Sequence, residues 1–195
     1  WAGTEGGLAW ADLAEPNLQD PQAWSTDDRV GDVADLLVAS DTLFAAAGRT
    51  VWRWDAILER WLSEARFGTV TSLGMYDGRL AALTKDGISH RLSRGNWTVL
   101  PVSGNARTLS RDGSALWVGT DEGLAVLGDD PPPPLGDTPA NHFYQMTLSA
   151  DGNLWVASLP NDQTVPPKGI FQFDRTRWWV HDRTTGMPSD LAVAV

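Results

Sequence analysis

The 195-residue sequence contains no cysteine, which excludes disulfide bonds, thiol catalysis and zinc sites with cysteine ligands. No apolar run approaches the roughly 20 residues that a membrane-spanning helix requires. Lysine occurs only as Lys85 and Lys168, and the 15 basic residues are outnumbered by 25 acidic ones, so the net charge is −10. This acidity argues against binding to nucleic acid or to an anionic membrane surface, since both attract basic patches.

Sequence signatures of common catalytic sites are also missing. The chain has no Gly-X-Ser-X-Gly elbow, P-loop, dinucleotide fingerprint, EF-hand loop or His-Glu-X-X-His motif. Its three histidines, His90, His142 and His181, are widely separated. We therefore expect a protein that is not an enzyme and that needs no cofactor, although its acidic loops leave room for a weak calcium site.

A short apolar segment recurs along the chain. It occurs at residues 43–47, 80–84, 116–120 and 154–158, so successive copies start 37, 36 and 38 residues apart. Tight turns such as Asp77-Gly78 and Asp151-Gly152 precede it, and Asp-Gly favours the positive φ of a two-residue hairpin. A strand led by glycine or threonine follows, and then a fourth strand often marked by tryptophan. Four short antiparallel strands repeated about every 40 residues are typical of a β-propeller blade.

The predicted fold is therefore all-β, a β-propeller of four-stranded antiparallel blades. We expect blades at about 30–62, 67–100, 104–140 and 141–181, with a further blade formed by 190–195 together with 1–25. Counted circularly, these are five blade-equivalents. Two interpretations stay open: a closed five-bladed ring in one domain, or a fragment of a larger propeller, which the missing initiator methionine favours. The 11 tryptophans are expected to pack mostly in the core between neighbouring sheets.

Two stretches resemble known propeller families. The phrase Leu116-Trp-Val-Gly-Thr-Asp-Glu-Gly-Leu124 and its echo at residues 1–8 are similar to the two-component-regulator propeller repeats of the periplasmic halves of bacterial hybrid sensor kinases. Residues 141–180 resemble the PorZ propeller family of the type IX secretion machinery. These resemblances imply an exported bacterial protein, located in the periplasm or at the cell surface.

Loop lengths predict where a partner binds. Because strands alternate in direction, the turns between second and third strands share one face with the connections between blades. We place three long excursions, 128–140, 160–168 and 181–190, on this face, which is also acidic and would suit a basic protein or a cationic ligand. The proline run at 131–134 is interpreted as a rigid connector. The candidate binding residues on this face are Asp129, Asp130, His142, Asp162, Lys168, His181, Asp182, Arg183 and Asp190.

Three functions are carried forward. The first is a non-enzymatic exported scaffold that binds a protein, a surface glycan or a small ligand, with a surface component of type IX secretion as the nearest specific role. The second is the periplasmic sensor domain of a hybrid two-component histidine kinase. The third is a metal-dependent propeller hydrolase or lyase, which requires His142 or His181 to sit with carboxylates around one metal ion near the propeller axis.

Overall fold

The structure, a computed structural model, describes residues 1–93, 95–102, 104–112, 115–128, 141–160 and 168–190. In this part of the chain nearly all regular structure is β-strand, and two short 3₁₀ turns, Pro21–Ala23 and Arg183–Thr185, are the exceptions. Among the same residues no helix has the length and apolar character needed to cross a membrane.

The described strands form five antiparallel sheets, numbered here in chain order. Sheet 1 contains β1 (Ala2–Thr4), β2 (Gly7–Trp10) and β3 (Ser25–Asp27). Sheet 2 contains β4 (Val33–Ala39), β5 (Thr42–Ala47), β6 (Thr50–Asp55) and β7 (Arg60–Arg66). Sheet 3 contains β8 (Val70–Tyr76), β9 (Arg79–Thr84), β10 (Gly87–Ser93) and β11 (Asn96–Leu100). Sheet 4 contains β12 (Ala106–Asp112), β13 (Ala115–Thr120) and β14 (Gly123–Leu127). Sheet 5 contains β15 (Asn141–Leu148), β16 (Leu154–Pro160), β17 (Ile170–Phe173) and β18 (Trp178–His181).

Within each sheet every strand pairs with its neighbour in the chain, so each sheet is a simple meander. The first strands of consecutive sheets pack side by side, β4 against β8, β8 against β12 and β12 against β15. The last strands lie farthest from this inner row. Sheets radiating from a row of inner strands are the blades of a β-propeller, and the predicted fold class is confirmed.

The core is divided among the spaces between sheets because strand side chains alternate in direction. On β5, Ala45 and Ala47 pack toward sheet 1, whereas Phe44 and Ala46 pack toward sheet 3. The same alternation continues through β9 and β13. Thus a run of consecutive apolar residues, which looks like an undivided hydrophobic segment in the sequence, supplies two separate interfaces.

Tryptophans fill some of these interfaces, as predicted, but not all. Trp117 is 3% exposed and packs between sheets 4 and 5 against Phe173 and Trp178. In contrast, Trp1 is 46% and Trp179 is 41% exposed, so the prediction of core packing is wrong for both. Trp179 pairs across the strands with Gln172, on the face of sheet 5 that points away from sheet 4, where no described blade covers it.

Two kinds of turn explain the recurring sequence phrases. Asp77 and Gly78 have φ of +48° and +66°, which confirms the predicted two-residue hairpin. In the Trp-Val-Gly-Thr phrase, the hydroxyl of Thr120 donates to the carbonyl of Gly123 at 2.9 Å, and Gly123 has φ of +128°. Thr4 with Gly7 and Thr84 with Gly87 repeat the same 2.9 Å bond. The phrase is therefore a threonine-closed turn with a glycine required at its end.

Two expected elements lie outside the described residues. One is the fourth strand of sheet 4, which would fall within 129–140, the segment that also holds the proline run. The other is the strand at 191–195 that was expected to complete the first blade.

Candidate binding surface

The two ends of the sheets carry different sets of turns. The upper end carries the turns between second and third strands and the connections from one sheet to the next. The lower end carries the remaining turns. Sheet 1 begins with the equivalent of a second strand, because its β1–β2 turn repeats the Thr–Gly bond of the β9–β10 turn, so its long β2–β3 connection also lies at the lower end. Since the strands within a blade are rigidly paired, side chains in these turns are held at fixed positions relative to one another.

A cleft of about 590 Å³ opens at the upper end between sheets 3 and 4. The β9–β10 turn forms one wall, and the chain from β11 to β12 forms the other. Its lining residues include Thr69, Thr71, Leu83, Lys85, Asp86, Ile88, Val99, Pro101, Val102 and Asn105.

The floor of the cleft is apolar and its rim is polar. Leu83 and Ile88 are fully buried beneath it, whereas Val99 is 59% exposed. At the rim, the Lys85 ammonium donates to Asp86 at 2.7 Å, with both side chains largely in solvent. The Lys85 stem crosses Gly68 so closely that a Cβ there would lie 2.2 Å from Cε of Lys85. An apolar floor with a few polar rim groups is the usual composition of a ligand site.

The opposite wall is fixed by a contact between Asn105 and Asp121. The Asn105 backbone N–H and side-chain amide both donate to the Asp121 carboxylate, at 2.8 and 2.5 Å. The side-chain bond from Asn105 is the main reason that the pKa of Asp121 lies below its usual range. The two residues tie the β11–β12 connection to the β13–β14 turn, so this wall holds its shape.

A second, smaller depression of about 200 Å³ lies along the inner strands. Each of β4, β8, β12 and β15 carries one extra residue in its pairing with the next strand, at Ala34, Thr71, Arg107 and Tyr144. Such bulges re-aim side chains locally, and here they recur at the same position in four sheets. Thr71 lines both the depression and the cleft, so the two cavities adjoin.

Asp35 lines this depression with a carboxylate that is only partly accessible to solvent. It accepts hydrogen bonds from the Ser72 hydroxyl at 2.9 Å, the Leu73 N–H at 2.7 Å and the Leu36 N–H at 2.8 Å. Burial raises the pKa of Asp35 above its usual range, and these three donors offset only part of that effect. Asp35 therefore ties sheet 2 to sheet 3.

Several predicted site residues meet at the upper end of sheet 5. Gly169, which follows Lys168, donates its N–H to the Asp190 carbonyl at 2.7 Å, and a Cβ on Gly169 would lie 2.0 Å from the His181 carbonyl. Asp182 and Asp190 form hydrogen bonds within the loop that follows β18. Asp182 caps the 3₁₀ turn, and its bond from the Thr184 hydroxyl is the main cause of a lowered pKa. The Asp190 carboxylate accepts the N–H of Arg183 at 2.6 Å.

Other predicted residues are not placed. Asp129, Asp130 and Asp162 lie outside the described residues. For His142 the structure gives only its backbone, which pairs with Leu159 near the end of β16. The 128–140 excursion was expected on the upper face, but its first residue, Gly128, lies at the lower end: a Cβ there would lie 3.2 Å from Cα of Ala115, where the third strand finishes.

The metal-site hypothesis fails for His181. Its strand, β18, is the outermost of sheet 5, three strands from the inner β15, and neighbouring strands are about 4.8 Å apart. The ring stacks on Trp155, and Nε2 bonds Gln172 Oε1 at 2.8 Å, so its partners are an indole and an amide and not carboxylates. Within the described ranges no three histidine, aspartate or glutamate side chains gather in a way that would hold a metal ion.

The upper end is acidic, although some of its carboxylates are internally paired. Asp27 is buried and receives both Nε and a terminal nitrogen of Arg29, and the Arg29 hydrogen bond is the first cause of its lowered pKa. Glu5, Asp28 and Glu122 are exposed or half-exposed on the same end. A basic partner would therefore meet fewer free carboxylates than the sequence count suggests.

Sequence reasoning missed the residues of the cleft. Lys85, one of two lysines, and Asn105 stand in short connections, whereas the prediction favoured the longest loops. The usable signal was the threonine-closed turn at Thr84–Gly87, whose repeat marks the upper end of every blade that carries it.

No protein-family model matches the sequence, and no curated protein matches it. Several solved structures are similar to this chain. The extracellular domain of the hybrid two component system BT3049 from B. thetaiotaomicron superposes with a TM-score of 0.63 at 17% identity, over 97% of this chain and 28% of that one. BT4673, from the same organism and of the same description, gives 0.62 at 18% identity, over 98% of this chain and 28% of that one.

PorZ, an essential bacterial surface component of the type-IX secretion system of Porphyromonas gingivalis, gives a TM-score of 0.52 at 22% identity. The match covers 93% of this chain and 26% of PorZ. The chain thus spans about a quarter of the length of these proteins, and the similarity extends over nearly all of its own sheets. At these identities the comparisons establish the shared β-propeller fold.

Proposed function

We propose that the chain is part of an exported bacterial binding module, not an enzyme, and that its upper-end cleft takes up an extended segment of a partner protein. The observation that carries the proposal is the cleft between sheets 3 and 4, with a buried floor at Leu83 and Ile88 and polar groups such as Lys85 and Asn105 in its walls. A cleft that offers the exposed Val99 beside polar groups such as Lys85 and Asn105 can contact both the apolar and the polar side chains of a peptide.

Charge supports a basic segment. The chain carries −10 overall, and exposed acidic groups at the upper end would attract lysine or arginine side chains flanking the bound apolar ones. Export is supported by similarity to extracellular domains and to a surface component. Within the module class, two specific roles follow from those relatives: a sensor ectodomain and a surface component of secretion. The higher TM-scores of the two-component proteins favour the sensor.

The test uses two exposed valines on different strands. Val99→Glu places a charge in the cleft, whereas Val38→Glu, at a valine that is 71% exposed on β4, leaves the cleft unchanged. A random peptide library displayed on phage is selected on the immobilised wild-type chain, and synthetic copies of the enriched peptides are titrated against all three proteins.

We expect basic-apolar peptides that bind the wild type and Val38→Glu alike and lose at least about tenfold in affinity, roughly 1.4 kcal/mol, for Val99→Glu. Failure to enrich any peptide, or equal binding to both variants, would reject the cleft as the partner site. Export is tested separately, by fractionating cells of the source bacterium with an antibody against this chain.

A further inference from the structure

Besides the cleft and the depression, an open cavity of about 370 Å³ lies at the lower end, between sheets 2 and 3. Most of its charged lining residues are basic, whereas the chain as a whole is acidic. Three arginines line it, Arg53 from β6, Arg79 at the start of β9 and Arg91 from β10, against one carboxylate, Glu64 from β7. In a protein with a net charge of −10, a cavity lined by three guanidinium groups is a local exception that calls for an explanation.

Glu64 reaches the cavity through a bulge. Val51 pairs with Ala65 and Trp52 pairs with Ser63, so Glu64 is the extra residue between them. Its side chain is 6% exposed and bridges two guanidinium groups, with Arg91 on Oε1 and Arg53 at 3.6 Å from Oε2. The carboxylate therefore sits underneath and holds two positive charges side by side, while the arginines remain 27% and 30% exposed.

Donors outnumber acceptors in this arrangement. Each guanidinium has five N–H donors in a planar fork. Besides Glu64, the Arg53 group has Asp55 at 3.8 Å, a distance too long for a good hydrogen bond. Arg79 forms no ion pair among the residues that the structure describes. Several N–H groups of these lining side chains thus have no acceptor among the described residues.

We propose that this arginine cavity binds a doubly charged oxyanion, a phosphate or sulfate group. Three guanidinium groups against Glu64 and the more distant Asp55 leave a net positive charge, which attracts such a group, and guanidinium forks bind its oxygens in pairs. Glu64 acts as the positioning residue, because it keeps Arg53 and Arg91 together without a ligand. The site lies at the opposite end from the cleft and does not depend on the proposed function.

The test is a titration with inorganic phosphate, sulfate and glycerol 2-phosphate at constant ionic strength, followed by the side-chain N–H signals of ¹⁵N-arginine. We expect saturable shifts of Arg53, Arg79 and Arg91 with midpoints below about 10 mM. Preference for glycerol 2-phosphate would identify the group on an organic carrier as the ligand, and preference for the inorganic ions would identify the free anion.

Two variants and one control complete the design. Arg79→Ala removes a guanidinium that does not hold Glu64, so folding should be unaffected, and Arg91→Lys keeps the charge but removes the fork. Each should weaken binding at least about tenfold. Arg60→Ala, at an exposed arginine of β7 outside the cavity, should bind like the wild type. Absence of saturable shifts, or unchanged binding in both cavity variants, would overturn the proposal and leave the arginines as a clamp for Glu64.

Discussion

The hydroxyl of Ser72 in sheet 3 donates a 2.9 Å hydrogen bond to Oδ2 of Asp35 in sheet 2. The same hydroxyl oxygen accepts the N–H of Leu109 in sheet 4 at 3.2 Å. Two hydrogen bonds that share the Ser72 hydroxyl therefore link the inner strands of three blades. Because apolar contacts between blades have little directionality, these hydrogen bonds help to set the position of each inner strand along the next.

Removing the Asp35 carboxylate, which accepts these hydrogen bonds, should destabilise the folded chain strongly. Asp35→Ala leaves the Leu73 N–H and the Ser72 hydroxyl without a partner in a buried place, and we expect a loss of about 2–4 kcal/mol in the free energy of unfolding. Asp32→Ala, at an exposed aspartate on the preceding connection, should change it by less than about 0.5 kcal/mol. Urea unfolding monitored by tryptophan fluorescence measures both. Equal effects would show that the Asp35 bonds do not contribute.

The pH dependence of this contribution has a definite sign. Because burial raises the pKa of Asp35, the folded chain keeps the proton to higher pH than the unfolded chain does. Stability from this group is therefore fully present below the ordinary aspartate pKa of about 3.9 and declines as pH rises through the raised value. Exposed aspartates with lowered pKa, such as Asp151 and Asp182, act in the opposite direction.

A comparison with Asp35→Asn isolates the effect, because the exposed aspartates are the same in both proteins and cancel. We expect the difference in unfolding free energy, wild type minus variant, to increase in favour of the wild type as pH falls from 7 toward 4. Urea titrations at four pH values in this range measure it. A constant difference, or one of the opposite slope, contradicts a raised pKa.

Local sequence patterns were enough to predict the β-propeller fold and its four-stranded blades. The Asp77-Gly78 turn and the Trp117-Val-Gly-Thr phrase both depend on backbone conformation near the residue itself, so they are readable without knowing the neighbours. The bulge that directs Glu64 and the cleft wall between Asn105 and Asp121 depend on residues from different strands or sheets. No local sequence pattern encodes a contact between residues of different strands or sheets. The sequence could therefore suggest one end of the blades as a binding face but could not predict the individual cavities.

Gly169 offers a sharp test of the upper end of sheet 5. Alanine there would bring Cβ within 2.0 Å of the His181 carbonyl at a residue whose φ is +78°. Since backbone cannot yield as a side chain can, we expect a loss of at least about 3 kcal/mol. Gly48→Ala is the control, because its φ is +56° but nothing lies within 4 Å, so only backbone strain of about 1 kcal/mol applies. Thermal unfolding of the two variants compares them, and similar losses would mean that Gly169 is not in close contact with β18.

Two tryptophans on neighbouring sheets should respond very differently to truncation. Trp117 is 3% exposed between sheets 4 and 5, and Trp117→Ala would leave a cavity beside Phe173 that costs about 3–5 kcal/mol. Trp179 is 41% exposed, with Arg177 stacked 3.6 Å above its ring, and Trp179→Ala should cost less than about 1 kcal/mol because solvent already surrounds it. Urea unfolding gives both values. If Trp179→Ala proved as damaging as Trp117→Ala, the outer face of sheet 5 would be covered in the folded chain, and residues beyond those described here would have to form part of its core.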